Sequence, residues 1–480
     1  MSVPHAAEIS ARSRLLAAAL AAPAALFAMP AGAHTTEGGF VLLLPTGYYI
    51  AGGTLVVAAT FLLLLFVPAR LLRCMTEARL RLGRLRQLPP AFGSGVAFAV
   101  LVILVSAGLT GSRDPLANPL PLTIWTLFWI AFVLLQAFLG NIWAAVNPWI
   151  APYRLVLLMI GRAADDPPLF AYPAWLGYWP AVLGFLAFAW FELIDIAPAD
   201  PARLAFAVIV YFDITIIGMI LFGERTWLSR AECFSVLLGF IARLSPLQRG
   251  AEGEIMLAVP GASLTRIDPL SISGVAFVLL TLAAVSFDGL DRTFWWLDLG
   301  GINPLDFPGR SEVMGQNTLG LLAMWALLAG AYALAIGLGQ RLAGGGMDYR
   351  TALGAFVLSI LPISLGYHFA HYLTTLLVNG QYVLFALGDP FARGWNLLGV
   401  GHGHVTVSFL SNLDSVAVIW KLQAGAVVGG HILALAVAHM IAVERAGAAR
   451  AAFVSQVPLA ALMVAYTLFG LWLLAAPAAG

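Results

Sequence analysis

Long apolar stretches separated by short polar loops dominate the chain. A helix needs roughly 20 such residues to cross the ~30 Å hydrocarbon core of a bilayer. The pattern predicts ten spanning helices after an apolar N-terminal segment, at residues 46–67, 93–111, 122–145, 177–197, 203–223, 271–289, 315–338, 352–376, 420–443 and 456–476. We therefore expect an all-α fold, a polytopic transmembrane helical bundle, with one domain over residues 34–480.

The composition supports a membrane protein with the lipid bilayer as its first partner. Hydrophobic residues make up 61% of the 480 positions and charged residues only 10%, whereas soluble domains carry about 25% charged residues. The net charge of +1 argues against a nucleic-acid partner. The two cysteines, Cys74 and Cys233, provide no disulfide framework and no paired metal motif.

The N-terminal segment has the pattern of a secretory signal peptide. Arg12 and Arg14 precede an apolar core, and Ala33 ends an Ala-x-Ala-like cleavage site. We expect residues 1–33 to be removed, which makes His34 the N-terminus. An N-terminal histidine offers its amine and its imidazole to one metal ion, so His34 is a candidate ligand. The alternative is a signal anchor that is never cleaved.

Arginine is concentrated in alternate loops, and the positive-inside rule places those loops on the cytoplasmic side. Both termini then face outward, and below we call the two sides of the bundle the outer end and the inner end on this basis. The segment 225–247 is amphipathic and too short to span, so we expect it to lie on the inner face or to dip back into the bundle. The arginines are Arg70, Arg73, Arg79, Arg81, Arg84, Arg86, Arg154, Arg162, Arg225, Arg230, Arg243, Arg249, Arg341, Arg350, Arg445 and Arg450.

Three histidines lie inside apolar stretches, where an ionisable side chain is costly and commonly functional. His368 and His371 lie about 24 Å and about 29 Å along the eighth stretch, in its outer third, and His431 lies about 16 Å into the ninth from the outer end. Imidazoles at positions i and i+3 can face one ion, so we expect a divalent transition metal, zinc, copper or iron, on these histidines. Neutral histidines bonded between helices, or a proton relay, remain alternatives.

Carboxylates occupy the same outer depth. Glu192 and Asp195 end the fourth stretch three residues apart, and Asp288 ends the sixth. We expect them to act as the catalytic base or to orient the metal ligands, unless they are simply hydrated at the interface. Gly425 and Gly429 have the small-xxx-small spacing that predicts a close helix approach beside His431.

Several short motifs are spread over nearly the whole chain. They are DPLANPLPLTIW at 114–125, NPW at 147–149, RAECF at 230–234, ARLSP at 242–246, SFDG at 286–289, YHFAH at 367–371, GH at 430–431 and AH at 438–439. Together they resemble a family of bacterial polytopic membrane proteins labelled fenitrothion hydrolase. The resemblance implies hydrolysis of an organophosphorus ester in the bacterial inner membrane, with both termini periplasmic by the arginine pattern. Thr35 follows His34 where a glycine is usual in that family.

A metal-dependent hydrolase of an apolar small molecule fits the candidate residues. Such a substrate partitions into lipid, and a bound metal would activate water for attack on the ester. The chain has no Gly-x-Ser-x-Gly nucleophile motif. A carrier of a metal ion or small solute, and a haem or copper redox component, are the other function classes that the same residues allow.

Overall fold

Ten helices long and apolar enough to span a membrane lie within the residues that the structure describes, which confirms the predicted all-α bundle. The structure, a computed structural model, describes residues 41, 43–64, 66–84, 90–250, 253–306, 309–345, 347–400, 403–445 and 449–478. The predicted signal peptide, its cleavage site and His34 lie outside these residues. Within these residues six α-helices are too short to span: α2, α5, α6, α9, α10 and α12 in the numbering that follows. In chain order the helices are α1 (Thr46–Leu64), α2 (Ala69–Glu77), α3 (Pro90–Thr110), α4 (Pro119–Leu139), α5 (Trp143–Val146), α6 (Ile150–Met159), α7 (Trp179–Leu193), α8 (Pro201–Phe222), α9 (Glu224–Arg230), α10 (Cys233–Ile241), α11 (Ile272–Leu290), α12 (Phe294–Leu299), α13 (Arg310–Leu342), α14 (Tyr349–Gly388), α15 (Leu413–Arg445) and α16 (Ala449–Ala475).

Polar side chains fix where several spanning helices begin. Each accepts a hydrogen bond from a backbone N–H of the first turn, which satisfies a donor that has no partner within the helix. These N-caps are Asn118 for α4, Asp200 for α8, Ser271 for α11 and Asp348 for α14. At these four positions a polar residue that interrupts the apolar pattern therefore starts a spanning helix.

Helices α11 and α14 form the centre of the bundle. Of their most apolar windows, 78% and 89% of the residues are buried, against 11% for the peripheral helix α1. Helix α14 packs on α15, on α11 and on the middle of α4. Every residue that we singled out in the eighth stretch therefore lies among protein neighbours rather than lipid.

Two local features of the bundle differ from the simplest expectation. Helix α10 dips back into the bundle and is almost wholly buried, whereas α9 before it has no buried residue. Of the two alternatives for segment 225–247, the second therefore holds for its α10 part. A small antiparallel sheet, in the order β1-β3-β2, covers the inner end and was not predicted. Its strands are β1 (Arg79–Arg84), β2 (Leu247–Arg249) and β3 (Glu254–Ala258).

A close approach joins α14 and α15, but through a different glycine pair from the one predicted. A Cβ at Gly430 would lie 2.7 Å from the Pro362 carbonyl oxygen, and one at Gly366 would lie 2.6 Å from that of Ala426. Around Gly425 and Gly429 there is open space instead. The small-xxx-small spacing indicated the right helix but the wrong face, because Gly430 is rotated by about 100° from Gly429.

Candidate functional site

A cavity of about 260 Å³ enters the bundle between α11, α14, α15 and α16. It opens at the outer end, since Val41, Leu410 and Ala478, which precede, join and follow the spanning helices there, lie on its wall. Its lining is mainly apolar with a few polar groups, the usual character of a small-molecule site. The polar and amphipathic residues on the wall are Asp288, Arg292, Tyr367, His371, Thr374, Trp420 and Gln423.

Asp288 and His371 form a hydrogen-bonded pair on this wall. The Asp288 Oδ2 atom lies 2.9 Å from His371 Nε2, and because a carboxylate accepts, Nε2 carries the hydrogen. Asp288 keeps only 10% of its side chain exposed, whereas His371 keeps 32%. The carboxylate is thus enclosed behind an imidazole that small molecules in the cavity can reach.

The second imidazole nitrogen of His371 has no hydrogen-bond partner among the described residues. This Nδ1 atom lies on the side of Gly289, where a Cβ would be 3.9 Å away, and Gly289 is itself part of the cavity wall. With Nε2 protonated, Nδ1 of the neutral ring carries a lone pair. His371 therefore offers a base, or a metal-binding nitrogen, to the cavity.

Tyr372 connects Asp288 to Glu192 behind the cavity. Its hydroxyl oxygen lies 2.6 Å from Asp288 Oδ2 and 2.9 Å from Glu192 Oε1. A phenol has one hydrogen to donate, so it cannot satisfy two ionised carboxylates equally. The hydrogen bonds are all made when Glu192 carries a proton and donates to Tyr372 while Tyr372 donates to Asp288.

His368 supports this cluster from the side away from the cavity. Its Nε2 donates to the Trp129 carbonyl at 2.9 Å, and its ring packs edge-on against Tyr372 at 4.9 Å. Trp129 belongs to a π-helical segment of α4, Leu122–Phe132, a rare geometry that is frequent at functional sites. His368 thus joins α14 to α4 and holds Tyr372 in position.

His431 lies apart from the pair on the cavity wall. Its Nδ1 donates to the Val427 carbonyl at 2.8 Å, and its fully buried ring lies near Tyr367 and Tyr466. Among the described residues no group of three or more His, Cys, Asp and Glu side chains is arranged to hold a metal ion. His368 and His371 both pack against Tyr372, whereas His431 does not. A metal site on these three histidines and His34 stays a prediction.

Both carboxylate oxygens of Asp195 are occupied by contacts that hold the fold together. Its Oδ2 lies 2.6 Å from Arg203 Nη2, and its Oδ1 accepts the backbone N–H of Ala197. Arg310 binds the backbone carbonyls of Glu192 and Asp195 and so fixes the end of α7. Both carboxylate oxygens of Asp195 are therefore used in joining α7 to α8, away from the cavity.

A further carboxylate, Asp291, follows α11 at the outer end. Burial raises the pKa of Asp291 to about 7, and the negative charge of Asp288 adds to the effect. Its Oδ1 is buried without a hydrogen-bond partner. The charge of Asp288 therefore affects the pKa of Asp291 without a hydrogen bond between the two carboxyl groups.

Sequence reasoning placed Glu192, Asp288, His368 and His371 at one depth, and the structure brings these four together. It missed Tyr372, Trp129 and the cavity residue Trp420. Tyr372 carried a usable signal, because it lies four residues after His368 and so on the same helix face. The Trp129 carbonyl carried none, since hydropathy does not reveal a π-helical turn.

Comparisons with known proteins add no relative. No protein-family model matches the chain, and searches of curated proteins and of solved structures gave no significant match. The resemblance to proteins labelled fenitrothion hydrolase therefore stays a prediction from the sequence motifs. What the site does has to be inferred from its own geometry.

Proposed function

We propose that this protein is a membrane hydrolase that cleaves a small, largely apolar ester in the outer cavity, with His371 as the general base. The observation that carries the proposal is the Asp288–His371 pair, in which one imidazole nitrogen binds a buried carboxylate and the other is free at the cavity wall. An aryl organophosphorus triester is the substrate class that the sequence resemblance suggests.

In the proposed reaction His371 Nδ1 takes a proton from a water molecule in the cavity. The water oxygen attacks the phosphorus or carbonyl centre of the ester, the bond to the alcohol or phenol breaks, and the imidazolium returns the proton to the leaving oxygen. Asp288 holds the ring in the required tautomer and stabilises the imidazolium while it exists. Tyr372 and Glu192 keep Asp288 in place from behind.

A cationic donor on the cavity wall suits the oxygen atoms of such an ester. Arg292 provides a guanidinium on this wall. A fixed donor of this kind stabilises negative charge that develops on the ester oxygens, which supports ester cleavage over binding alone.

The test is turnover by the purified protein in lipid nanodiscs. A nitrophenyl phosphotriester would be supplied, and the released nitrophenol measured by absorbance. We expect His371→Ala to reduce kcat by about 10² to 10⁴, while His431→Ala, a matched loss of a histidine from the adjacent span, keeps kcat within about threefold. Equal activity of wild type and His371→Ala would overturn the proposal, as would uptake of the intact triester into proteoliposomes without product.

A metal-assisted form of the same reaction is the second candidate, and one contact favours it. Histidines that bind metal ions usually donate their other N–H to a carboxylate, as His371 does to Asp288. Elemental analysis distinguishes the two forms: metal that copurifies with wild type and with His431→Ala but not with His371→Ala supports the metal-assisted form. Turnover that persists after chelation, with no metal in the wild type, rejects it.

A further inference from the structure

A carboxylate in the middle of the spanning helix α8 lies on the outside of the bundle. Asp213 is about 18 Å from the first residue of this helix, Pro201, and about 14 Å from its last, Phe222, at 1.5 Å per residue. The residue is exposed and is not part of the wall of the outer cavity. Asp213 therefore meets lipid near the middle of the bilayer.

The rest of the chain leaves this carboxylate without a partner. Among the described residues Asp213 makes no hydrogen bond and no ion pair. Glu192 and Asp288, which also lie in spanning helices, are both hydrogen-bonded to Tyr372. An ionisable side chain in a spanning helix is costly, and it almost always faces other protein groups that pair with it. Asp213 therefore indicates an interaction with a molecule beside α8.

An apolar stripe that one further helix can cover surrounds Asp213. Phe206, Val210 and Ile217 are exposed on α8, and together with Asp213 they recur at intervals of four, three and four residues. This is the spacing of the seam between two packed helices, in which a single polar residue fixes the partner and its register. We call these four residues the α8 face; it is about 16 Å long.

A second copy of this chain does not supply a cation for the α8 face. In the described spanning helices the arginines lie near helix ends, and Lys421 lies near the outer end of the ninth apolar stretch. The predicted signal peptide carries Arg12 and Arg14 before its apolar core rather than within it. In a symmetric pair of copies the two α8 faces would meet at equal depth, which places one Asp213 against another. The charge thus favours a different protein as the partner.

We propose that the α8 face binds one spanning helix of another membrane protein, and that this helix carries a lysine or an arginine at mid-bilayer. The cationic group pairs with the Asp213 carboxylate, while apolar side chains of the partner pack on Phe206, Val210 and Ile217. Neither helix then exposes a charge to lipid. The α8 face shares no residue with the outer cavity, and the proposal does not depend on ester hydrolysis.

The experiment uses synthetic spanning helices as probes. The full-length protein, with a donor dye on the exposed Cys74, is reconstituted into liposomes with leucine-rich peptides of roughly 23 residues that carry an acceptor dye. One peptide has a lysine at its centre, and the matched peptide has a leucine there. Energy transfer measures binding. We expect wild type to bind the lysine peptide about tenfold more tightly than the leucine peptide.

Two variants locate the effect. Asp213→Asn should bind both peptides alike. The matched control, Glu312→Gln, removes the same charge from the first turn of α13 and should keep the preference for the lysine peptide. Equal binding of the two peptides by wild type, or an equal loss of preference in both variants, would overturn the proposal.

A charge reversal tests the pairing from the other side. Asp213→Lys should prefer a peptide with a central glutamate to the lysine peptide, because the cation then lies on α8; failure to prefer the glutamate peptide would contradict the pairing. A second occupant is tested without any peptide, by mixing copies of the protein that carry donor or acceptor dyes. Energy transfer between wild-type copies that Asp213→Asn abolishes would identify a second copy on the α8 face and overturn the proposal.

Discussion

Asp288 and Asp195 are both aspartates and lie at the same outer depth, yet their surroundings give them different roles. Both are almost enclosed, with 10% and 8% of their side chains exposed. Asp195 faces a permanent cation, Arg203, and a backbone N–H, so its charge is neutralised and its oxygens are occupied. Asp288 instead faces His371 and Tyr372, two groups that can exchange protons.

The comparison shows that burial alone does not identify a functional carboxylate. An arginine partner stays protonated at every accessible pH, so the Asp195 pair joins two helices and nothing else. A histidine partner can gain a proton, and Asp288 then stabilises the charge that appears. The partner, and whether a cavity reaches that partner, decides between the two roles.

Replacing each aspartate by asparagine gives the largest expected difference. In Asp288→Asn the amide still accepts from His371 Nε2 but cannot stabilise an imidazolium, so kcat for triester hydrolysis should fall by about 10² to 10⁴. In Asp195→Asn kcat should stay within about threefold, while the free energy of unfolding falls by about 1 kcal/mol. Equal losses of kcat would remove the distinction between the two aspartates.

Removing the hydroxyl group of Tyr372 should have an intermediate effect. Tyr372→Phe takes one charge-assisted hydrogen bond from Asp288, and we expect kcat to fall about tenfold. Tyr466→Phe is the control, because the half-buried hydroxyl of Tyr466 bonds to Ser286 at 2.7 Å and not to the cluster. If the two variants lose activity alike, Tyr372 does not hold Asp288 in its working position.

A methyl group beside His371 should act more weakly. In Gly289→Ala the new Cβ would lie 3.9 Å from His371 Nδ1 and 3.5 Å from Leu473 Cδ1, both ordinary contacts. We expect KM to rise about two- to fivefold with kcat nearly constant, because the methyl group takes space at the cavity wall and leaves the base intact. Gly425→Ala, which enters open space, should leave KM unchanged; a matching rise there would show that the cavity is not the substrate site.

The smallest effect concerns Asp291, a third aspartate at the outer end that has neither kind of partner. Its pKa of about 7 in the folded protein exceeds the unfolded value of about 3.9, so the folded state binds the extra proton. Stability is therefore lost as the pH rises from about 4 to about 7. We expect the melting temperature of Asp291→Asn to exceed that of wild type by a wider margin at pH 8 than at pH 5.

An equal margin at both pH values would contradict this explanation. The measurement is a thermal melt of the detergent-solubilised protein, with Asp306→Asn as the control. Asp306 is an exposed acid in the loop that precedes α13, and its substitution should give the same small margin at pH 5 and pH 8.

The sequence predicted the ten spanning helices well, because bilayer thickness sets their length and apolar residues mark them directly. It predicted their ends less well: the eighth apolar stretch stops near residue 376, whereas α14 continues to Gly388. Hydropathy reports where a helix crosses the apolar layer, and a helix can continue past that layer into water or into a neighbouring segment.

The sequence predicted how deep in the membrane the candidate residues lie, but not the directions in which their side chains point. Counting residues along the apolar stretches placed His371 and Asp288 at one depth, since both lie toward the outer ends of their helices, but it did not show that the two helices touch. Which way His368 and His431 point depends on how the helices rotate against their neighbours, and side-chain packing sets that rotation. The sequence suggested three histidines around one ion, and that metal site stays a prediction. The structure describes His371 at the cavity wall and the other two histidines bonded to backbone carbonyls.

The most direct test is chemical modification of the histidines in the intact, membrane-embedded protein. Diethyl pyrocarbonate acylates an unprotonated imidazole nitrogen that it can reach, and peptide mass spectrometry identifies the modified residue. We predict that His371 is modified readily while buried His368 and His431 are protected, and that a small phosphotriester present in excess slows the modification of His371. Protection of His371 to the same degree as His431 would contradict a free base at the wall of the outer cavity.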